Sequence, residues 1–320
     1  MPRKTLIFGN GLGMALDQEF FSLDNAIGRV WDGEGALDEH AKDLIRSCLV
    51  EDGNVDRPHG EDDLDNLQLV VSACDFLGRV GRQDIHWLSE HGRQFPDAVR
   101  KFLYRTALLF HQRQNGLPDE FTRPLAQFVH ETKSHIATLN YDNLLYQPMI
   151  EAQVLSGYRG ALVDGLVDAG FREENLERRW DNTFGYYMHL HGSPLFVDRD
   201  GVIVKLRQGD LENGEVVGSH IVLTHVKHKE TVISASPLLT AYWDHLAKAL
   251  AESEEVVLFG YSGCDRHLNA LLRSRAPAAV RVVEWEGAGA QQERDAHWLD
   301  LLGKQVALVR RDNILSFVDW

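Results

Sequence analysis

Cysteine is scarce in this sequence, and long apolar runs are absent. The three cysteines, Cys48, Cys74 and Cys264, are widely spaced and form no CxxC pair, which excludes a four-thiolate zinc module built from this chain. No stretch approaches the roughly 18 consecutive apolar residues that a membrane-spanning helix needs. We therefore expect reduced thiols in a protein without a membrane span.

Positive charge is also in short supply. The chain carries 33 Lys and Arg against 48 Asp and Glu, a formal net charge of -15, so the whole molecule repels polyanions at long range. This argues against direct nucleic-acid binding and against anionic membranes. Only four apolar residues precede Gly9, too few for the apolar core of a signal peptide. We expect a cytoplasmic protein.

Short apolar runs alternate with helix-compatible segments along the chain. The predicted strands cover residues 5–8, 135–139, 186–190, 255–259 and 280–285. The predicted helices lie near residues 14–21, 144–149, 237–250 and 268–272. Strands that alternate with helices are typical of a parallel sheet covered on both faces. We predict a single α/β domain over residues 1–320, with a Rossmann-like, doubly wound and mainly parallel sheet.

Two stretches depart from this alternation. From residue 61 to about residue 133 the apolar residues recur at helical spacing, as in Leu64, Leu67 and Val71, which predicts a helical insertion within the sheet domain. Residues 201–233 alternate apolar residues with turn formers, which predicts a hairpin followed by a variable loop.

Polar and small residues follow four of the predicted strands at once. They occupy residues 9–13, 140–142, 191–194 and 260–265. In open parallel sheets, ligands bind at the carboxyl ends of the strands, where such loops converge. We therefore expect the candidate site at this edge of the sheet.

The first of these segments begins with Gly9, Asn10 and Gly11 and leads into a predicted helix. Free N–H groups at a helix start favour a pyrophosphate, and glycine permits its close approach. Glycine after a strand also often serves only to tighten a turn. The residues after Gly13 do not complete a GxGxxG pattern, which disfavours an ordinary dehydrogenase.

The other polar residues each have a structural alternative to a functional role. Asn140 is a common turn former, and Asp142 and Asp265 are suited to capping the helices that follow them. His191 before a glycine is compatible with a satisfied structural histidine. His220, His225 and His228 invite a metal interpretation, but their spacing puts no defined ligand set on one face. We expect no metal.

Taken together, these segments resemble a known family. Thr138–Asp142 resembles the sirtuin motif whose Thr, Asn and Asp line the nicotinamide-ribose pocket, and His191–Ser193 resembles the segment with the catalytic histidine. Phe259–Asp265 is similar to the segment of bacterial Sir2-like proteins that supports the dinucleotide. The Asp-Phe-Arg and the four-cysteine module of sirtuin deacetylases are absent.

The resemblance therefore implies a Sir2-like NAD+ hydrolase of the kind that bacteria use in anti-phage defence, often as a homo-oligomer or beside a partner ATPase. It implies NAD+ as the substrate and no deacylation of lysine. The residues implied as catalytic are Asn140, His191 and Asp142. The residues implied as binding the dinucleotide are Gly9, Asn10, Gly11, Thr138, Gly260, Ser262 and Asp265.

Cleavage of the nicotinamide bond passes through an oxocarbenium-like ribose, and its leaving group is already cationic. An amide such as Asn140 places water or a ribose hydroxyl, while His191 accepts a proton. Glu284, near the end of a predicted strand, is positioned to bind the adenosine ribose. The alternative is a non-catalytic subunit that senses NAD+ or ADP-ribose.

Overall fold

A computed structural model describes residues 2–33, 35–49, 56–80, 87–112, 116–167, 169–179, 181–206 and 220–320. Its strands are β1 Lys4–Phe8, β2 His135–Thr138, β3 Leu162–Val163, β4 Leu166–Val167, β5 Gly170–Phe171, β6 Gly185–His189, β7 Phe196–Arg199, β8 Val202–Lys205, β9 Glu255–Phe259, β10 Ala279–Trp285 and β11 Ala307–Arg311. Its helices are α1 Gly11–Leu16, α2 Leu23–Asp32, α3 Glu39–Cys48, α4 Asp65–Val80, α5 Glu90–Leu109, α6 Asp119–Thr132, α7 Tyr146–Glu151, α8 Lys229–Ser234, α9 Pro237–Glu252, α10 Arg266–Arg275 and α11 Gln291–Leu302.

Seven strands form one sheet in the order β11-β10-β9-β1-β2-β6-β3, and all neighbours run parallel. The chain leaves β1 towards β2, β6 and β3 on one side, then returns to β9, β10 and β11 on the other. This reversal between β1 and β9 is the topological switch point of a doubly wound sheet. The predicted Rossmann-like α/β fold is confirmed.

The central strands are buried on both faces, as continuous apolar runs predict. Leu6, Ile7 and Phe8 of β1 have no exposed surface, and neither do the last four residues of β9. Helix α9 covers β6 and starts at Pro237, with Ser236 accepting a hydrogen bond from the Leu239 amide at the helix N-terminus. A capped start with proline at the first position fixes where this helix begins.

A long helical segment connects β1 with β2. Helices α4, α5 and α6 lie in the stretch predicted as an insertion, and α1, α2 and α3 precede them. The packing of α5 against α2, α3 and α4 ties these helices together. Helices therefore occupy much of the described part of this stretch, and the insertion within a single domain stays a prediction.

Several predicted boundaries shift. The first helix spans Gly11–Leu16 and not residues 14–21. The predicted hairpin is formed by β7 and β8, which pair antiparallel and begin at Phe196, before residue 201. Residues 207–219 of the predicted loop lie outside the described residues. In the part of the chain that the structure describes, no helix is long and apolar enough to cross a membrane.

Candidate functional site

Two loops meet where β1 and β9 end, at the switch point of the sheet. The amide of Gly9 donates to the carbonyl oxygen of Phe259 at 2.9 Å, and the amide of Gly11 donates to that of Gly260 at 2.9 Å. The loop after β9 is fixed to β10 in the same way, since the Gly260 amide donates to the carbonyl oxygen of Val283 at 2.9 Å. Backbone hydrogen bonds thus join three strand ends into one rim.

Glycine is required in this rim by the packing of one loop on the other. A Cβ atom on Gly11 would lie 2.6 Å from the carbonyl oxygen of Gly260, and one on Gly9 would lie 2.7 Å from it. Gly260 has a φ of +58°, which favours glycine, and a Cβ there would lie 2.8 Å from the amide nitrogen of Leu12. A side chain at Gly11 would therefore displace Gly260 before it met any ligand.

Two cavities open beside this rim. The larger, of about 750 Å³, runs from Asn10 and Gly11 past Gly260 to Glu284 and Trp285. The smaller, of about 210 Å³, is lined by Gly9, Asn140, Asp142, His191 and Asp265, together with side chains from the helical segment. Asn10, Tyr261 and Ser262 line both cavities. The site therefore has two chambers that share one wall.

Asn140 follows β2 and is held by backbone on both sides. Its side-chain Nδ2 donates to the carbonyl oxygen of Gly9 at 3.1 Å, and its amide donates to Oγ1 of Thr138 at 3.0 Å. Its Oδ1 is buried without a hydrogen-bond partner among the described atoms. A buried polar oxygen without a partner is costly, so it marks a place where a ligand or water is needed.

Thr138 holds the backbone of Asn140 in place. It is the last residue of β2 and is buried, and its hydroxyl accepts the Asn140 amide proton. Its contact with a dinucleotide stays a prediction. The geometry gives it a clear part in holding Asn140.

His191 follows β6 and pairs with Asp265, which precedes α10. His191 Nε2 lies 2.9 Å from Asp265 Oδ2, and both side chains are buried. The other oxygen of Asp265, Oδ1, accepts from the Leu268 amide at 2.9 Å and so caps α10. The interpretation of Asp265 as a helix cap is confirmed, whereas its contact with a dinucleotide stays a prediction. A carboxylate on Nε2 places the proton there and leaves Nδ1 as the acceptor.

Lys229 and Glu61 extend this pair, and the sequence analysis missed both. Lys229 Nζ lies 3.2 Å from Asp265 Oδ2 and 3.0 Å from Glu61 Oε2, although the lysine is only 5% exposed. Lys229 begins α8, and Glu61 stands in a short 3-10 turn before α4. No local pattern marks either residue, because their contact depends on how distant segments pack.

In the group formed by His191, Asp265, Lys229 and Glu61, the neighbouring charges stabilise the ionised forms of Asp265 and Lys229. Burial alone raises the pKa of Asp265, but the hydrogen bond from His191 and the charge of Lys229 outweigh it and hold that pKa well below its usual range. Burial lowers the pKa of Lys229, but the carboxylates of Glu61 and Asp265 hold it above its usual value. Both buried groups are therefore ionised at neutral pH.

Asp142 is buried in the turn after β2. Its Oδ1 accepts from the Leu144 amide at 2.9 Å, so it stabilises the turn before α7, which begins at Tyr146. Burial raises its pKa to about 6, against hydrogen bonds from backbone amides that lower it. The predicted helix cap is thus a turn cap, and the carboxylate also lines the small cavity.

Glu284 lies in β10 at the edge of the large cavity, as predicted from its position. Its carboxylate is not free, because Arg294 donates to both oxygens at 2.8 to 3.1 Å and Trp298 Nε1 donates at 3.2 Å. Its contact with a ribose stays a prediction. The neighbouring Trp285, 57% exposed, also lines this cavity.

Of the three histidines that invited a metal interpretation, His225 and His228 lie close together, with ring centroids 6.3 Å apart, and both lie beside Asp65. His220 contacts Ser236 Oγ at 2.8 Å and Asp198 at 3.2 Å, whereas His228 contacts Asp65 at 2.8 Å. Within the described residues, no group of three or more His, Cys, Asp or Glu side chains is arranged to hold a metal ion.

Comparisons with known proteins add little to this geometry. No protein-family model matches the chain, and no curated protein matches it. A solved structure of cytosolic 5'-nucleotidase IIIB bound to cytidine aligns over 99% of this chain and 85% of its own, with 11% sequence identity and a TM-score of 0.31. A similarity this low carries no argument about function.

Proposed function

We propose that this protein is an NAD+ glycohydrolase, which cleaves the nicotinamide-ribose bond to give nicotinamide and ADP-ribose. One observation carries the proposal. Asn140, with a buried oxygen that lacks a partner, and His191, fixed by Asp265, line the same small cavity at the switch point of the sheet. An oriented amide beside a proton acceptor is what the attack of water on a ribose requires.

The two chambers suit a dinucleotide. The larger falls within the range of roughly 300 to 1,000 Å³ typical of small-molecule sites. Trp285, which lines this chamber, would stack on an adenine, and Glu284 would accept from a ribose hydroxyl in addition to its bonds with Arg294 and Trp298. The smaller chamber would then receive the nicotinamide ribose, and the wall shared by Asn10, Tyr261 and Ser262 would face the pyrophosphate.

The charges around the small chamber favour the transition state. Three carboxylates, those of Glu61, Asp142 and Asp265, line it against the ammonium of Lys229. An excess of negative charge in a buried site stabilises the positive charge that develops on the ribose as nicotinamide leaves. Because this leaving group becomes neutral on departure, no general acid has to protonate it.

The proposed reaction transfers the ADP-ribosyl group from nicotinamide to water. The bond between ribose C1' and the pyridinium nitrogen breaks, and its electron pair neutralises the nicotinamide ring. Water held by the Asn140 oxygen attacks C1', and His191 accepts the proton of that water at Nδ1, either directly or through a ribose hydroxyl that takes up the water's proton as it gives its own to His191. Asp265 holds the histidine in the required tautomer and stabilises its positive charge.

The test is a chromatographic assay of the purified chain with NAD+, and equimolar nicotinamide and ADP-ribose are expected. Binding measured by calorimetry without any product would favour the alternative, a non-catalytic sensor of NAD+ or ADP-ribose. The resemblance to Sir2-like proteins further supports, as a proposal, a regulated effector of anti-phage defence that acts as a homo-oligomer or with a partner ATPase. The assay is therefore run with the chain alone and with such candidate partners.

A further inference from the structure

A chain of four ionisable side chains lies at the small chamber, and the proposed reaction gives two of them, Lys229 and Glu61, no proton to transfer. It runs from His191 Nε2 to Asp265 Oδ2 at 2.9 Å, from there to Lys229 Nζ at 3.2 Å, and on to Glu61 Oε2 at 3.0 Å. It joins four separate parts of the fold: the loop after β6, the start of α10, the start of α8 and the turn before α4.

A lysine buried to this degree is unusual and requires a reason. Lysine is almost never fully buried unless it is paired, because removing an ammonium from water is expensive. Here the ammonium contacts a carboxylate that already caps α10 and accepts from His191. Asp265 caps α10 with Oδ1, whereas Lys229 contacts Oδ2. The lysine is therefore not needed for the helix cap.

We infer that Lys229 is a positioning residue that offsets the charge of Asp265 beside His191, and that Glu61 limits this effect from the other side. The inference rests on the proposed function, in which His191 accepts a proton. A bare buried carboxylate beside a histidine favours the imidazolium, which has no acceptor nitrogen. The positive charge of Lys229 offsets the negative charge of Asp265. Asp265 can then orient the imidazole of His191 with less stabilisation of the imidazolium form.

The two outer members of the chain should act in opposite directions. Removing the ammonium with Lys229→Met leaves Asp265 unbalanced, so the imidazolium is stabilised and His191 loses its proton only at higher pH. Removing the outer carboxylate with Glu61→Gln leaves the ammonium less neutralised, so His191 loses its proton at lower pH. A purely structural role predicts no such opposition.

Other ionisable side chains that line the small chamber around His191 are unchanged in both variants. They are Tyr141, Asp142, Tyr261, Cys264 and Asp265. Comparing variants with the parent cancels their common contribution.

The direct experiment is an NMR titration of histidine-labelled protein, with the His191 ring signals assigned from a His191→Gln variant. The midpoint of the His191 titration should rise by about one pH unit or more in Lys229→Met and fall by roughly 0.3 unit in Glu61→Gln. The matched control is Lys227→Met, which removes an exposed lysine ion-paired to Asp65 and should leave the midpoint unchanged.

Kinetics give a second readout of the same inference. The acidic limb of kcat/KM for NAD+ should move with the NMR midpoint, upwards in Lys229→Met and downwards in Glu61→Gln. Equal midpoints in the parent and both variants would overturn the inference. Glu61 is partly exposed, so Glu61→Gln keeps the test decisive if Lys229→Met does not fold.

The proposed function and this inference fail separately. A parent that binds NAD+ without releasing nicotinamide contradicts the proposed function, while the NMR midpoints still decide the role of Lys229. An active parent with unmoved midpoints keeps the proposed function and overturns the inference.

Discussion

Asn140 donates from its side-chain nitrogen to the carbonyl oxygen of Gly9 at 3.1 Å. The side chain that follows β2 is thereby fixed by the turn that follows β1, on the neighbouring strand. Because the nitrogen faces Gly9, the oxygen of the same amide is the atom left without a partner. The relationship between these two residues sets both the orientation of Asn140 and what it offers to a ligand.

Asn140→Asp should therefore destabilise the fold more than Asn140→Ala does. The aspartate is nearly isosteric, but it places a carboxylate oxygen against the carbonyl oxygen of Gly9, and a buried charge without a donor is costly. We expect a loss of about 1 to 3 kcal/mol at pH 7 relative to the parent. Urea unfolding of the three proteins measures the difference. An aspartate variant as stable as the parent would mean that the hydrogen bond to Gly9 does not fix the orientation of the Asn140 side chain.

Gly260→Ala should destabilise the protein more than Gly201→Ala. Both glycines have positive φ, +58° and +76°, so both substitutions strain the backbone by roughly 1 to 2 kcal/mol. Only at Gly260 would the added Cβ also meet backbone, 2.8 Å from atoms of Gly11 and Leu12, whereas Gly201 has open space. We expect a further loss of about 1 to 3 kcal/mol at Gly260. Equal losses in thermal or urea unfolding would show that the two loops are not tightly packed.

Asp142→Asn should stabilise the protein at neutral pH and have little effect in acid. Burial raises the pKa of Asp142 to about 6 from 3.8, so the folded protein binds this proton more tightly than the unfolded chain does. Its contribution to stability is therefore full below about pH 4 and is lost as the pH rises through about pH 6. The shift corresponds to at most about 3 kcal/mol.

Unfolding measured in urea from pH 4 to pH 8 tests this expectation. The stability difference between Asp142→Asn and the parent should grow across that range, because asparagine cannot ionise and still accepts from the Leu144 amide. A difference that stays constant with pH would contradict the buried titration. If Asp142 also stabilises the ribose cation, the more stable variant should turn over NAD+ more slowly, a common trade at functional sites.

Trp285→Ala should weaken NAD+ binding without a large loss of stability. The indole is 57% exposed and lies at the edge of the large cavity, where an adenine would stack. Stacking of a base on an aromatic ring is worth about 1 to 3 kcal/mol, so affinity should fall by roughly tenfold or more. The matched control is Trp87→Ala, an exposed tryptophan that lines neither chamber. Calorimetric titration with NAD+ and with ADP-ribose measures the affinity of both variants. Equal affinities in the two variants would show that Trp285 does not contact the ligand.

The sheet was predictable from sequence because its central strands are short, apolar and closed by turn formers. The edge strand β11 was not predicted, because its apolar run, residues 306–309, is short and is followed at once by two arginines, and every residue of the strand is at least partly exposed. The helix after Gly9 was placed too late for a different reason. Gly11 and Gly13 have poor helix propensity, and only the contact with Gly260 shows why glycine begins this helix.

The site was predictable in part, for the residues that follow strands. Asn140, Asp142 and His191 come at strand ends, and parallel topology brings such ends together. Lys229 and Glu61 follow no central strand, and their contact with Asp265 depends on the path of the chain between distant elements. The ion pair between Glu284 and Arg294 could not be predicted from sequence either, because the two side chains meet only in the folded protein, where α11 lies beside β10.

The measurement that tests the account most directly is the rate of nicotinamide release from saturating NAD+ by the parent, Asn140→Ala, His191→Ala and the double variant. Each single variant should be at least about a hundredfold slower while its affinity for NAD+ changes far less. The double variant should fall little below the slower single variant, because the two residues act in one step. Circular dichroism confirms that each variant is folded. Folded Asn140→Ala and His191→Ala proteins that release nicotinamide at the parent rate would contradict the account.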